Sequence, residues 1–458
     1  MCVVVNSNYL ISCHNTIINT VKLENKSRLG RISTWIFIGL LAYMPLHIFL
    51  STWLGTSFGV LSFAKVAKDA VMLIGAATAG LIYLKNHKLA DLWKDGLFKL
   101  IAAYVALNVL LAIFKPTDND AELLGVLYNT RFLVFFVYDW LLTKIVDPQL
   151  VRKYALRAVF VSAFVVLVFG LMQKVVLPGD VFTNFGYSRE NGVLPAFYID
   201  DKADLPRVMS TLRDPNSFGS YVVIVGSLAA AVLLSKPRLR RFAKGLLILS
   251  GLCLWFSFSR SAWLGLLAAA AVFYWAKSKD KIVERAKKHL VFLIFAIVST
   301  GFLFYVWQNS YFVQNVVFHA DQSTALEDPN QLRTRFWRES MSDIADNPLG
   351  QGPGTAGLAS IRNETQGTTL NENYYLQIAT ELGVLGILLF GAIIWNMGQK
   401  LRKLAGKDWL ALALFASFIG LLVTNFLVHI WSNEAVAYTW WGLASVVILN
   451  NNVAKVKK

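Results

Sequence analysis

Charge is scarce in this chain: 16% of its 458 residues are Asp, Glu, Lys or Arg, where a soluble domain carries about 25%. That deficit excludes a cytosolic enzyme and a disordered scaffold, since both need more charge to stay solvated. Cysteine is scarcer still. Cys2 and Cys13 fall in the N-terminal stretch and Cys253 in an apolar segment. They have no metal-ligand spacing and supply no disulfide framework, which excludes a disulfide-stapled secreted module. The chain also lacks an internal repeat, a low-complexity tract and a separate soluble domain. What it has in plenty is apolar surface, with 56% hydrophobic residues and a mean hydropathy of +0.50. This is the composition of a polytopic membrane protein.

About 20 apolar residues cross the hydrocarbon core of a bilayer as a helix. By that measure the sequence predicts an all-α bundle of about twelve transmembrane helices, near 33–53, 61–84, 96–114, 121–143, 155–176, 216–235, 243–258, 261–277, 289–307, 373–397, 409–430 and 434–451. The first follows polar residues 1–32 and lacks a small-residue cleavage site, so it reads as a span and not as a signal peptide. The second carries Lys65, Lys68 and Asp69 in its first turns and could begin as an amphipathic interfacial helix. Net charge is +16, from 44 Lys+Arg against 28 Asp+Glu. Alternating from a cytoplasmic N-terminus, segments 1–32, 85–95, 144–154, 236–242, 278–288, 398–408 and the C-terminal tail lie inside, and every one is basic. That is the positive-inside pattern, so the basic charge reports membrane topology and no nucleic-acid partner is expected.

The expected organisation is a cytoplasmic tail (1–32), helices one to nine with an outside loop at about 177–215 (33–307), a long extracytoplasmic loop (308–372), and helices ten to twelve with a basic cytoplasmic tail (373–458). Long loops in compact proteins are usually functional. The second contains a predicted amphipathic helix over 331–346, with Leu332, Phe336, Trp337, Met341 and Ile344 at helical spacing and Asp328 or Asn330 as cap. Pro348 and the run Gly350-Gln351-Gly352-Pro353-Gly354 end it. The helix is expected to lie over the outer mouth of the bundle.

The chemistry-bearing candidates are basic groups that break the charge rule: Arg207, Arg213, Arg260, Arg333, Arg335 and Arg338. Arg260 sits in Phe256-Ser257-Phe258-Ser259-Arg260-Ser261-Ala262-Trp263, a short polar hinge between two apolar spans, where an arginine is costly unless it meets a partner. One such arginine is as readily explained by snorkelling to lipid phosphates. Several converging ones read as an anion site, because the guanidinium fork fits phosphate oxygens. Arg207 and Arg213 directly precede a span that Asp214 or Asn216 can cap, and a helix N-terminus itself favours an anion.

Glu372 opens another span between Asn371 and Asn373, followed by Tyr374 and Tyr375. It reads either as a general base made more basic by partial burial or as an acidic residue complementing the helix dipole; spacing alone favours the second. Glu381, deeper in the same span, reads as structural. Arg131 and Asp139 read as partners for groups on neighbouring helices. His14, His47, His87, His289, His319 and His429 are scattered, and no outside carboxylate cluster resembles a cation site, so no metal and no cofactor are expected. Trp440 and Trp441 read as an interfacial belt.

With these residues in place the chain resembles the O-antigen ligase and O-antigen polymerase superfamily of bacterial membrane glycosyltransferases. The resemblance rests on the Arg207-to-Asn216 stretch, the Ser259-Arg260-Ser261-Ala262-Trp263 hinge and Arg333-x-x-x-Trp337. It continues through Asn347-Pro348-Leu349-Gly350-Gln351-Gly352-Pro353-Gly354 and the helix start Asn373-Tyr374-Tyr375-Leu376, with Glu381-Leu382-Gly383-Val384-Leu385-Gly386 behind it. It implies a GT-C-like fold in the bacterial cytoplasmic membrane with both termini cytoplasmic. The implied activity is metal-independent, inverting transfer of a glycan from a polyprenyl-diphosphate carrier to a hydroxyl acceptor on the outer face. Lipid A core, a growing polysaccharide or a protein hydroxyl could be that acceptor.

Under the resemblance, Arg207, Arg213 and Arg260 hold the diphosphate with help from Arg333 or Arg335, Glu372 and Arg260 are catalytic, and Asn216, Asn373 and Tyr374 support the site. One position departs from the family: many ligases carry histidine where this chain has Glu372, which leaves ligase and polymerase both open. A transporter or flippase of lipid-linked glycans is the alternative, and a membrane scaffold a third. Neither explains outward-facing arginines without a visible repeat.

Overall fold

The computed structural model describes residues 28–117, 119–199, 202–278, 329–363, 369 and 371–456. Thirteen helices of eleven residues or more run through them. They are α1 (Arg28–Tyr43), α2 (His47–Ser57), α3 (Leu61–Asn86), α4 (Gly96–Phe114), α5 (Asn119–Ile145), α6 (Pro148–Val175), α7 (Pro215–Ser235), α8 (Arg240–Ser257), α9 (Arg260–Ser278), α10 (Pro329–Asp346), α11 (Tyr374–Ala405), α12 (Trp409–Asn425) and α13 (Glu434–Val456). Among the described residues seven helical stretches are long and apolar enough to cross a membrane: α1–α2 as one unit, α3, α4, α5, α6, α7 and α11. Shorter apolar stretches occupy α9, α12 and α13. The predicted segment 289–307 lies outside the described residues, as do His319 and Asp328.

The local reasons for these elements are simple. In a bilayer every backbone polar group must be satisfied within its own segment, so apolar runs of this length become helices. Asp95, Asp147, Asp214, Asn373 and Asp408 accept first-turn N–H groups and fix where α4, α6, α7, α11 and α12 begin. The first predicted span is broken by a 3-10 turn, Met44–Leu46, at Pro45, which cannot donate to a helix interior. Large apolar side chains such as Phe63, Leu81, Phe114, Ile248, Leu388 and Trp395 face outward, as a lipid-facing surface requires.

Helices α7 and α13 form the centre and are buried along most of their described length. Helix α7 packs on α8 and α12, α13 on α5, and α9 on α12. At the α9–α12 crossing Gly265 and Gly420 meet so closely that a Cβ on Gly420 would stand 2.4 Å from the Gly265 carbonyl oxygen, the small-residue contact by which membrane helices approach. Trp440 and Trp441 are wholly buried and pack against Trp431, Phe132 and Phe418. The interfacial-belt reading of these two residues is therefore corrected: they belong to the core.

The loop after α6 adds a small two-stranded antiparallel sheet to the otherwise helical fold, β1 (Phe197–Ile199) with β2 (Lys202–Arg207). Phe197 pairs with Arg207, so the hairpin delivers Arg207 to the start of α7. The amphipathic helix expected over 331–346 is α10. Asn330 lies inside that helix and is not its cap, Trp337 donates from Nε1 to the Asn371 carbonyl at 3.0 Å, and Met341 is exposed.

The glycine run after α10 docks on a break in α11. Gly383 there has φ +67°, and its neighbours' carbonyls turn to the loop: Gln351 N–H donates to Thr380 O and Gly352 N–H to Glu381 O, both at 2.9 Å. The Glu381 carboxylate, wholly buried, accepts from Asn129 Nδ2 at 2.6 Å and Gly354 N at 2.9 Å. It is structural, joining α5, the loop and α11. A Cβ at Gly383 would stand 2.4 Å from Pro348 O. Gly383→Ala is therefore expected to cost about 1–3 kcal/mol, read as a lower thermal midpoint in detergent; an unchanged midpoint would contradict this account of the break.

Candidate active site

The starts of α7, α9, α11 and α13 gather at one end of the bundle. Those of α7 and α13 are tied to each other, and those of α7 and α11 are capped by side chains at their own starts. Asp214 accepts from Asn216 N and Ser217 N at 2.9 Å and from Ser217 Oγ at 2.6 Å. Asn433 Nδ2 donates to Ser217 Oγ at 2.9 Å, tying the start of α13 to that of α7. Asn373 accepts from Tyr375 N at 2.9 Å and caps α11. Between them lies a cavity of about 160 Å³ whose lining includes Tyr128, Arg213, Asn216, Glu372, His429 and Glu434. Three helix N-termini edge it, and although their caps take first-turn N–H groups, the positive ends of their dipoles favour an anion there.

The predicted arginines divide into distinct roles. Arg213 lines the cavity, and no hydrogen bond or ion pair ties its guanidinium among the described residues. Lys65 stands within electrostatic reach of it, its Nζ donating to Asn191 O at 2.6 Å. Arg207 is an anchor: it donates to Ser257 O and Asn216 Oδ1 at 3.1 Å and to Phe258 O at 3.4 Å. It thereby clamps the α8–α9 hinge to the start of α7. Arg260 opens α9 close enough to repel it; with burial as the larger cause, the Arg207 pKa is pushed down to about 10.

Arg333 reaches the site from α10, but toward a carboxylate: its Nε and Nη2 donate to Glu372 Oε2 at 3.1 and 2.5 Å. Arg335 pairs within its own helix, with Glu339 at 3.6 Å and against the Phe336 ring. Five arginines were expected around one anion; the fold brings Arg213 to the cavity, sets Arg207 and Arg260 beside it and gives Arg333 to Glu372.

Glu372 itself lines the cavity with φ +39°. Its side chain is half-buried, 48% exposed. Ser210, Phe258 and Glu372 are the non-glycine residues with positive φ among those described. Such strain is tolerated where surrounding structure fixes it, and it concentrates at functional sites. Tyr374, expected to support the site, instead points into the core against Phe390 and is fully buried.

Sequence reasoning missed the cavity's floor. Glu434 pairs with Arg131 at 3.0 Å and Lys68 at 3.5 Å; Lys68 also pairs with Asp69 at 2.9 Å, and Asp69 accepts from Tyr438 at 3.1 Å. This network explains the charges in the first turns of α3, and it confirms Arg131 as a partner for a neighbouring helix. Asp139 has the same character, accepting from Ser445 Oγ at 2.7 Å. The available signal was Asn433-Glu434 opening a span as Asn371-Glu372-Asn373 does. His429, read as one of the scattered histidines, also lines the cavity, and its Nε2 lies 3.4 Å from Asn371 Oδ1. Among the described residues no group of three or more His, Cys, Asp or Glu is placed to hold a metal ion.

Removing one partner of a buried ion pair leaves the other uncompensated at about 3–5 kcal/mol. Arg131→Met should destabilise the protein by that order in a thermal unfolding series, and Arg131→Met with Glu434→Gln should recover part of the loss. A single variant as stable as the parent would remove Arg131 from the floor.

Residues 245–391 match the family described as O-antigen ligase. The matched region runs from α8 across the Arg260 hinge and α10 into α11 beyond the Gly383 break. No curated protein matches the chain.

Proposed function

Starting from the O-antigen ligase/polymerase superfamily that this match supports for the chain, we propose that the protein is a membrane glycosyltransferase. It moves a glycan from a polyprenyl-diphosphate carrier to a hydroxyl acceptor, lipid A core or a growing polysaccharide, at the outer face of the bacterial cytoplasmic membrane. The observation that carries this reading is the Arg213 guanidinium, which has no hydrogen-bond or ion-pair partner among the described residues and lines a cavity edged by three helix N-termini. Such a site takes an anion, and arginine suits phosphate oxygens in particular.

The cavity has the volume of about five water molecules. It suits the phosphate groups and the reacting sugar carbon, while lipid and glycan extend beyond it. The acceptor oxygen attacks the anomeric carbon from the face opposite the phosphate; the carbon–oxygen bond to phosphate breaks, and its electron pair leaves with the polyprenyl diphosphate. Arg213 stabilises the charge developing on that oxygen, with Arg260 and the anchored Arg207 adding positive potential. No metal is assigned to these steps. Glu372, held by Arg333, sits on the wall where the acceptor would approach. Orientation follows the basic inside loops, with both termini cytoplasmic.

Incubating the purified protein with a polyprenyl-diphosphate oligosaccharide and candidate acceptors tests the reading. Arg213→Ala should lower transfer by about 10²–10³-fold, the usual cost of deleting one group that stabilises developing charge, and Arg213→Lys should recover part of it. A ladder of products identifies a polymerase, a single addition a ligase. Full transfer by Arg213→Ala, or movement of the lipid across sealed vesicles with no glycosidic bond formed, would overturn the proposal.

A further inference from the structure

The proposed transfer requires the acceptor hydroxyl to lose a proton, and the cavity offers four acidic or basic candidates to take it: Asp214, Glu372, Glu434 and His429. Three are already committed. Asp214 spends both oxygens on the first turn of α7, accepting from Asn216 N, Ser217 N and Ser217 Oγ. Glu434 is held by Arg131 and Lys68 on the floor. Glu372 takes two donors from Arg333, at 3.1 and 2.5 Å, on one oxygen.

We propose that His429, supplied by the connection between α12 and α13, is the general base that takes the acceptor's proton, and that Glu372 with Arg333 positions the acceptor wall. The inference rests on the glycosyl-transfer reading above and concerns a different step from the one Arg213 serves. His429 lines the same cavity as Arg213 and Glu372. Among the described residues its one polar contact is the long 3.4 Å approach of Nε2 to Asn371 Oδ1. With Nε2–H directed at that oxygen, the lone pair lies on Nδ1. Asn371 is itself fixed, fully buried with its carbonyl accepting from Trp337 on α10. The same short segment thus orients the imidazole and presents Glu372.

Burial pushes the His429 pKa down to about 4, so the ring is neutral at pH 7 and able to accept a proton. The charged groups that share its cavity are Arg213, Asp214, Glu372 and Glu434. A bound diphosphate adds negative charge among them and favours the imidazolium, so the ring becomes a stronger base when donor is present. In the step itself the acceptor O–H bond breaks as oxygen bonds to the anomeric carbon. The proton passes to the imidazole, the bond from the anomeric carbon to the phosphate oxygen breaks, and the diphosphate departs with that bond's electron pair. The proton is afterwards released from the ring to solvent.

The test uses the full chain in detergent, a polyprenyl-diphosphate oligosaccharide as donor, and separate measurements of donor binding and turnover from pH 4 to 9. His429→Gln should bind donor with unchanged affinity, showing that it is folded. Its kcat should fall by about 10²–10⁴-fold, and the acid limb of the wild-type pH profile should disappear. Glu372→Gln should raise the KM for acceptor and retain that limb. His429→Gln turning over within threefold of wild type, or Glu372→Gln losing the acid limb in its place, would overturn the role of His429. Wild-type protein that does not bind the lipid diphosphate would overturn the transfer reading itself, a distinct result.

Discussion

A guanidinium without a partner among the described residues, in a cavity whose carboxylates are all engaged, determines what the site can hold. Asp214 serves a helix cap, Glu434 an ion network and Glu372 an arginine from the long loop. Each negative charge is balanced locally, so Arg213 and three helix N-termini give the cavity its sign. Had any one of these carboxylates turned to Arg213, the anion site would have closed on itself. The buried network on the floor therefore matters for function as much as for stability, because it keeps Glu434 from competing for Arg213.

The scaffold makes that balance possible by bringing distant segments to one end of the bundle. Arg207, at the end of a hairpin, binds the carbonyls of the α8–α9 hinge and the side chain of Asn216. Asn433 reaches across to Ser217. Deeper in α11 the Glu381 carboxylate gathers α5 and the glycine loop to the break of the helix that Asn373 caps. These are hydrogen bonds in places shielded from water, where a missing partner is costly and geometry is correspondingly well defined.

The helical plan was legible in the sequence because the bilayer imposes length and apolarity directly: the predicted spans within the described residues correspond to helices, and α10 emerged from its own periodicity. Within the candidate site, Arg213, Asn216 and Glu372 were legible as polar groups at helix starts. Their pairings were not. That Arg333 binds Glu372, that Lys68 and Arg131 share Glu434, and that Tyr374 faces the core all depend on contacts between segments far apart in the chain. His429 had no motif to mark it, and its place becomes visible only when the α12–α13 connection meets Asn371. Trp440 and Trp441 went astray for a related reason: tryptophan at the end of an apolar run suits a membrane interface and a buried core equally well.

The most direct test of the anion site is an experimental structure of the full chain with a polyprenyl-diphosphate glycan bound. The account predicts phosphate oxygens within hydrogen-bonding distance of Arg213 at the start of α7, with the sugar carbon facing the wall formed by Glu372 and His429. Diphosphate density elsewhere, with Arg213 turned to solvent or to a protein carboxylate, would contradict it.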